Sequence, residues 1–246
     1  MVVSRLTMMS ETDKQAAMAA LGGNGGAVVV EGFKMKLTQI DLQYLLPLTW
    51  LNDNVINFYF ELISERARRD LQATNKPDCA KLKIHVLTSF FNEKLQRERS
   101  HSGVKNWSNK SNIKVLDMDK VFIPINIHQS HWCLAVINFQ KHQFEYYDSL
   151  GGRPSQWLFK CLRDYVLQEA NLWGRAAGPA SGFNLEGWHN VIVNNIPLQQ
   201  NGSDCGVYVC TYGDLLSENM PLSFSQEHID AIRLRMVRDI LRKRLD

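Results

Sequence analysis

The sequence carries no excess of charge of either sign. Its 246 residues include 28 lysines and arginines against 25 aspartates and glutamates, which leaves a formal net charge of +3. Proteins whose main ligand is nucleic acid usually concentrate basic residues in runs or patches. The near balance therefore gives no support to such a ligand, and we expect no nucleic-acid partner.

Long apolar runs are missing as well. The run Ala27–Val30 is far too short to cross a bilayer. The segment Met1–Ala20 is polar and mixed in charge, without the apolar centre of a secretory signal. We therefore expect no membrane partner and an intracellular location, in the nucleus, the cytoplasm or both.

Cysteine is scarce: the sequence has five, an odd number without paired spacing. This pattern favours a reducing compartment over a disulfide framework, and such a compartment also protects a reactive thiol from oxidation. His128, His131 and Cys133 lie close together in sequence, but no second pair of ligands completes a four-coordinate site. We expect no metal and no cofactor.

The rest of the composition, with 45% hydrophobic and 22% charged residues, is ordinary for a folded protein. Residues 1–26 are predicted to form a flexible N-terminal extension that ends in the glycine-rich stretch Gly22–Gly26. Residues 27–246 are predicted to form one folded domain. Its closing helix, from about Ser225 to Arg244, has a basic face that we interpret as solvated, with docking as the alternative.

A turn followed by an apolar run surrounds one cysteine. Asn201–Asp204 is typical of a bend, and Cys205–Leu216 is apolar and without proline, as in a buried helix. If Asp204 or Ser203 caps this helix, Cys205 falls in its first turn, where unpaired backbone N–H groups and the helix dipole favour a thiolate. A buried structural cysteine at a turn–helix junction remains the alternative.

An upstream hairpin supplies partners for that thiol. The segments Val121–Ile127, Trp132–Phe139 and Gln143–Tyr147 are predicted strands, with a tight reversal between the last two. In this hairpin His131 and Asp148 become approximate cross-strand neighbours. A carboxylate beside an imidazole fixes its tautomer and supports its positive charge.

These residues together form a plausible catalytic set. Cys205 is the candidate nucleophile, His131 the base and Asp148 the group that orients the base. The side-chain amide of Gln199, with the backbone N–H of Cys205, is placed to donate to a developing oxyanion. Gly206 allows backbone or a substrate to approach closely.

Four short blocks of sequence carry a resemblance to a known family. In their order along the chain they resemble the successive blocks of the SUMO-specific (sentrin-specific, ubiquitin-like-protein-specific) cysteine protease family. The similarity runs from about Lys36 to the C-terminus, and the four blocks are Trp50–Asp53, Ser130–Trp132, Tyr147–Leu150 and Gln199–Gly206.

The resemblance implies a papain-like α+β fold. Its central mixed or antiparallel sheet is flanked by helices, and the nucleophile lies at a helix N-terminus. His131, Asp148 and Cys205 match the family's catalytic triad, and Gln199 matches its oxyanion-hole glutamine. Residues 27–246 would then be the catalytic domain of a thiol protease, with no triad position substituted.

The same resemblance implies a set of substrate contacts. Trp50 and Trp132 match the aromatic residues that enclose the narrow C-terminal tail of the modifier, although core packing is an alternative for Trp50. Asp53 matches an acid that faces a basic surface of the modifier, and it also suits a helix N-cap. Phe90 lies in a segment that resembles one touching the modifier.

A charged stretch downstream gives a further candidate contact. The segment Glu93–Ser111 is rich in Lys, Arg, Ser and Asn and is interpreted mainly as solvated surface. Because the family uses a basic residue and a tryptophan here, a rim contact from Lys105 or Trp107 remains open. The stretch Trp173–Trp188 is predicted to be a long irregular loop particular to this chain.

The implied activity is cleavage after the C-terminal Gly-Gly of SUMO. It would serve to process precursors and to release SUMO from substrate lysines, and we expect a monomer whose partners are the modifier and its lysine-linked conjugates. The same chemistry on ubiquitin or the neddylation modifier is an alternative. A non-catalytic modifier-binding module is another, and an acetyltransferase is disfavoured because nothing resembles a coenzyme A site.

Overall fold

The computed structural model describes most of the chain. The described residues are 2–23, 25–73, 81–98, 103–104, 107, 113–174 and 183–246. The helices are α1 Val2–Thr7, α2 Glu11–Leu21, α3 Gln39–Gln43, α4 Asp53–Gln72, α5 Ser89–Glu98, α6 Leu158–Gly174, α7 Cys205–Leu216 and α8 Ile229–Arg242. The strands are β1 Val28–Gly32, β2 Met35–Thr38, β3 Ile84–Val86, β4 Lys120–Ile127, β5 His131–Asn138, β6 Gln143–Tyr147 and β7 His189–Ile192.

A five-stranded mixed sheet forms the centre, in the order β3-β4-β5-β6-β7. The three middle strands are antiparallel, and the outer pairs β3–β4 and β6–β7 are parallel. The register pairs Ile127 with His131 across the first reversal and Leu134 with Tyr147 across the second. The predicted strands and the tight hairpin are therefore present, within about one residue of their expected bounds.

Helices cover both faces of this sheet. Because side chains alternate along a strand, each central strand contributes to two cores. The core shared with α4, α7 and α8 contains Phe122, Trp132, Leu134, Val136 and Tyr147. The core shared with α5 and α6 contains Ile123, Ile125, Cys133, Ala135 and Ile137.

Helix α7 is the most enclosed helix in the layer it shares with α4. Residues 205–215 are all buried. Two glycines let the neighbours come close, since a Cβ at Gly206 would lie 2.8 Å from Leu51 Cβ and one at Gly213 would lie 2.7 Å from the Phe60 ring. The apolar run in the sequence is thus a core helix, and its first residue is fixed by packing on all sides.

The N-terminal segment differs from its prediction. Instead of a flexible extension over residues 1–26, the structure has α1 and α2 packed against α8, with Val2, Leu6 and Ala17 buried. Arg5 pairs with Asp214 at 3.2 Å. These contacts come from distant parts of the chain, so the composition of the segment alone did not reveal them.

The basic face of α8 is also not solvated, contrary to the prediction. Arg233, Arg235 and Arg238 are buried and paired with acidic side chains. Burial alone would raise the pKa of the Asp214 carboxyl, but Arg66, Arg235 and Arg5 hold that pKa well below its ordinary value. Arg233 and Arg235 therefore anchor α8 to the turn before α7 and to α7 itself, while Arg238 pairs with its neighbour Asp239 on α8.

Smaller corrections concern element ends. Strands β1 and β2 form an antiparallel hairpin, after which Thr38 and Asp41 form a capping box on α3. Asn52, not Asp53, caps α4. The loop predicted over residues 173–188 begins inside α6, and its residues 175–182 lie outside the described residues. Among the helices described, none is long and apolar enough to cross a membrane.

His85 in β3 makes stability depend on pH. Burial lowers the pKa of His85 from 6.5 to about 4, and its Nε2 has no hydrogen-bond partner among the described residues. Between these values the unfolded chain binds a proton that the folded protein does not, so stability falls as the pH drops from 6.5 to 4. A shift of this size corresponds to on the order of 3 kcal/mol.

We expect His85→Leu to remove that loss. Urea unfolding at pH 7.5 and pH 4 should show wild type losing about 3 kcal/mol more on acidification than His85→Leu does. The exposed His189 gives the control, since His189→Leu should behave as wild type does. An equal acid loss in His85→Leu and wild type would contradict the assignment.

Candidate active site

A hydrogen-bonded turn presents Cys205 at the start of α7. The side-chain oxygen of Asn201 accepts from the backbone N–H of Ser203 at 3.0 Å and of Asp204 at 3.1 Å. Asp204 occupies the N-cap position but makes no side-chain capping bond, and Asn201 Nδ2 donates to its carboxylate instead. The predicted turn and the position of Cys205 are observed, whereas the predicted side-chain cap is not.

Arg233 of α8 holds this turn against the segment that precedes Trp50. Its guanidinium donates to Asp204 Oδ1 at 2.7 Å, to the Leu46 carbonyl at 3.0 Å and to the Thr49 carbonyl at 2.7 Å. Because all three bonds leave one planar group, the loop carrying Trp50 and the turn carrying Cys205 are fixed relative to each other.

His131 and Asp148 meet as the hairpin register requires. His131 Nε2 lies 2.7 Å from Asp148 Oδ1, which also accepts the Leu150 N–H at 2.8 Å. Because a carboxylate can only accept this hydrogen bond, the proton lies on Nε2. The other ring nitrogen, Nδ1, is then left for the thiol of Cys205. Hydrogen bonds with Asp148, then with Cys133 and Cys205, raise the pKa of His131 well above its ordinary 6.5.

The carboxylate of Asp148 stays ionised in return. Burial alone would raise the pKa of Asp148, but the hydrogen bond from His131 and the Leu150 N–H lower it below its ordinary value. The imidazole thus interacts with the carboxylate through a 2.7 Å hydrogen bond and also with the thiol of Cys205, so the three groups form one series. This is the arrangement that nucleophilic catalysis by a thiol requires.

Gln199 lies beside this series with its amide oriented by neighbours. Its backbone N–H donates to the Ser149 carbonyl at 2.9 Å, and its Oε1 accepts from the Ser149 hydroxyl. Its Nε2 donates to the Asn201 carbonyl. An amide nitrogen carries two hydrogens, so one remains for an oxyanion.

A cleft of about 910 Å³ leads to Cys205. Trp132 and Trp50 both line it. Trp132 is only 3% exposed and donates from Nε1 to the Leu51 carbonyl at 2.8 Å, so its ring is a fixed wall. Trp50 is 49% exposed, which excludes the alternative of a core role and leaves it at the cleft surface.

Asp53 and Phe90 also line this cleft. Phe90 is 54% exposed, and its neighbour Ser89 donates to Asp53 Oδ1 at 2.6 Å. This bond joins the start of α4 to the start of α5. The two residues therefore offer an apolar and an acidic contact beside one another.

Two predicted substrate contacts lie elsewhere. Trp107 packs edge-on against Phe91, with ring centroids 5.9 Å apart, and belongs to the core beneath α5 rather than to the cleft lining. Gly206 is buried against Leu51, and its lack of a side chain serves helix packing. Lys105 lies outside the described residues.

Two buried neighbours of the series were missed. Cys133 and Tyr146 lie beside His131 and Asp148, with Tyr146 also lining the cleft. The strand register could have revealed Cys133, because the same antiparallel count that pairs His131 with residue 150 sets residue 133 opposite Asp148.

No metal site was predicted from the sequence, yet three side chains that could bind a metal ion lie close together. Within the part of the chain that the structure describes, His131, Cys133 and Asp148 each offer an atom within 4.8 Å of the others. However, His131 Nε2 and Asp148 Oδ1 are 2.7 Å apart, closer than the roughly 3.4 Å between two ligands of a tetrahedral zinc. The contact is a hydrogen bond, so we interpret the group as catalytic.

Fold and site together define the class: an α+β catalytic domain of the thiol-protease type. The chain belongs to the Ulp1 protease family, since residues 49–245 match the model of that family's C-terminal catalytic domain. The family resemblance and the fold class expected from the sequence are confirmed.

Individual relatives agree with this assignment. A sentrin-specific protease of Caenorhabditis elegans is 32% identical over 98% of this chain, and sentrin-specific protease 2 of Homo sapiens is 31% identical over 98%. The chain spans only 32% and 38% of their respective lengths. The crystal structure of the yeast Ulp1 C-terminal protease domain in complex with Smt3 has a TM-score of 0.78 and 27% identity, covering 98% of this chain and 99% of that one.

The clamp made by Arg233 can be tested by removing it. Arg233→Met leaves Asp204 buried without its cation, so we expect a loss of about 3 kcal/mol in the free energy of unfolding and slower alkylation of Cys205 by iodoacetamide. Neutralising the partner as well, in Arg233→Met with Asp204→Asn, should recover part of the stability. Arg244→Met, at an exposed ion pair, is the matched control. A loss below about 1 kcal/mol in the single variant would refute the clamp.

Proposed function

We propose that this chain is the catalytic domain of a thiol protease that cleaves after the C-terminal Gly-Gly of SUMO. It processes SUMO precursors and releases SUMO from substrate lysines. The observation that carries the proposal is the hydrogen bond between His131 and Asp148 beside Cys205, at the end of a cleft lined by Trp50 and Trp132. Family membership and the likeness to a protease domain bound to Smt3 support it.

The chemistry follows from the positions of the protons. With His131 holding the thiol proton, the Cys205 sulfur attacks the carbonyl carbon of the last glycine and forms a tetrahedral intermediate. Its collapse to a thioester breaks the bond to nitrogen, and His131 gives its proton to the departing amine. His131 then takes a proton from water, whose oxygen attacks the thioester and releases the glycine carboxylate and the thiol.

Two donors are available for the oxyanion of the intermediates. The backbone N–H of Cys205 is one of the unpaired groups at the start of α7, and the free hydrogen of the Gln199 amide is the second. Because Ser149 and Asn201 fix that amide before substrate arrives, little reorganisation is needed. Each such donor contributes about 3 kcal/mol to the transition state.

Selectivity for diglycine is steric. The Trp132 ring is held by the Leu51 carbonyl, and Trp50 lies on the open side of the same cleft. We infer that the tail passes through a slot between these two indoles that admits backbone but not a β-carbon with further atoms. Docking of the folded modifier against Asp53 and Phe90 supplies the remaining discrimination.

The cellular setting follows from the thiol chemistry. Among the described residues, no disulfide joins Cys133, Cys161, Cys205 or Cys210, which supports a reducing compartment. We place the enzyme in the nucleus or the cytoplasm, acting as a monomer on SUMO and its lysine-linked conjugates. Its partners include neither nucleic acid nor a membrane.

Cys205→Ala tests the chemistry directly. This variant should lose all turnover of a SUMO precursor and of a SUMO–lysine conjugate, while its Kd for mature SUMO stays within about twofold of wild type because docking does not use the sulfur. The buried thiol of Cys161 gives the control, since Cys161→Ala should retain activity. Residual turnover in Cys205→Ala above about 1% of wild type would exclude the nucleophile.

Modifier choice is tested with electrophilic probes on the C-termini of SUMO, ubiquitin and the neddylation modifier. We expect fast covalent labelling of Cys205 by the SUMO probe alone. Faster labelling by another probe would assign the same chemistry to that modifier. Tight SUMO binding without labelling of Cys205 would show a non-catalytic binding module.

Trp50→Ala tests the slot without disturbing the core. Because the ring is half exposed, its loss should cost about 1 kcal/mol of stability or less, yet lower kcat/KM on a SUMO substrate at least tenfold. Leu48→Ala, two residues away, 71% exposed and outside the cleft lining, is the matched control and should leave kcat/KM unchanged. Equal kcat/KM values for the two variants would show that Trp50 does not help to bind the tail.

A further inference from the structure

The carboxylate of Asp148 has a second oxygen that the triad does not use. Oδ1 accepts from His131 and from the Leu150 N–H. Oδ2 lies 3.5 Å from the hydroxyl of Tyr146, which itself donates to Cys133 Sγ at 3.0 Å. A buried carboxylate oxygen needs a donor to remain charged, so the groups around Oδ2 matter for the charge that supports His131.

The strand register places these groups on one face. Ala135 pairs with Tyr146 and Leu134 with Tyr147, so one further step sets Cys133 opposite Asp148. Alternation along β5 then puts Cys133 on the same side as His131. Cys133 is fully buried and Tyr146 is 1% exposed, so water does not compete for their hydrogen bonds.

The protons of this cluster can be assigned one by one. Burial raises the pKa of the Cys133 thiol, and burial together with the nearby sulfur raises the pKa of the Tyr146 hydroxyl far above its ordinary value. Both groups therefore keep their protons at neutral pH. The Tyr146 O–H donates to the Cys133 sulfur, which leaves the Cys133 S–H to donate to Asp148, whose carboxylate lies within 4.8 Å of that sulfur.

The remaining surroundings of Asp148 supply no other donor to Oδ2 among the described contacts. Gly152 approaches so closely that a Cβ there would lie 2.5 Å from Oδ2. From α7, Tyr212 faces the carboxylate electrostatically, but its hydroxyl donates to the Pro197 carbonyl. Cys133 and Tyr146 are therefore the groups that set the orientation and charge of this oxygen.

We propose that Cys133 and Tyr146 are positioning residues that hold the Asp148 carboxylate ionised and in the plane that aims His131 at Cys205. The proposal rests on the catalytic roles given above for His131 and Cys205. Both residues act through other groups: Cys133 through the carboxylate and the His131 ring, and Tyr146 through the Cys133 sulfur. Cys133 is a proton donor to the carboxylate and not a second nucleophile, and Tyr146 orients it through the sulfur.

The test uses a readout that needs no protein substrate. The rate of Cys205 alkylation by iodoacetamide, followed by mass spectrometry from pH 4 to 9, reports how readily the thiol loses its proton to His131. Losing a donor raises the pKa of Asp148, so the carboxylate protonates at a higher pH and its support for the imidazolium is lost there. The acid limb of the alkylation profile should then move to higher pH.

We expect Cys133→Ala and Tyr146→Phe to shift the midpoint of the acid limb to higher pH by about half to one pH unit. On a SUMO substrate kcat should fall about tenfold with KM unchanged. Cys133→Ser keeps a donor at the same place and should restore both values toward wild type. Tyr147→Phe is the matched control, because the Tyr147 hydroxyl donates to Glu145 on the opposite face of β6.

The outcomes separate this proposal from the proposed function. A shifted limb in Cys133→Ala and Tyr146→Phe, with no SUMO turnover by wild type, would support the positioning role and refute the substrate. If the acid limb of the alkylation profile in both variants coincides with that of wild type, while wild type cleaves SUMO, the positioning role alone is overturned. If Cys133→Ala fails to fold, the comparison of Cys133→Ser with Tyr146→Phe decides, since only the second should shift.

Discussion

The hydrogen bond between His131 Nε2 and Asp148 Oδ1 is the contact on which the site depends. It exists because a tight hairpin sets the start of β5 beside the end of β6. These strand ends lie at the end of the sheet that faces the cleft. The bond fixes which imidazole nitrogen carries the proton and leaves the other for the thiol of Cys205. Helices pack on both faces of the sheet that holds these two strands, and α7 brings the sulfur to them.

The sulfur is brought by a helix that could not move independently. Helix α7 is enclosed by α4 and by the sheet, and Arg233 fixes the turn before it to the loop before Trp50. A buried ion pair of this kind is poor evidence for net stability, because removing charges from water costs about as much as their attraction returns. Its value here is geometric, since one guanidinium sets the distance between the nucleophile and a wall of the slot.

Sequence patterns located the strands, the hairpin and α7, because each is encoded by contiguous residues. The partners of the arginines on α8 are not encoded by contiguous residues. Arg233 and Arg235 pair with acidic side chains about 20 to 30 positions earlier, on α7 and the turn before it. Spacing on α8 alone therefore suggested a solvated face. The packing of α1 and α2 against α8 was not predicted for the same reason, since Arg5 meets Asp214 across 209 positions. Trp107 was misplaced because a tryptophan in a charged stretch does not show which side it covers.

Asp148 keeps His131 protonated at Nε2 and raises the pKa of the imidazole. Nitrogen-15 NMR of the histidine rings in the wild-type protein, titrated from pH 5 to 9, measures this most directly. We predict a His131 ring that remains doubly protonated well above pH 6.5, with its Nε2–H proton shifted downfield by a hydrogen bond to the carboxylate. A His131 that loses its charge near pH 6.5, or that carries its proton on Nδ1 with Nε2 bare, would contradict the account.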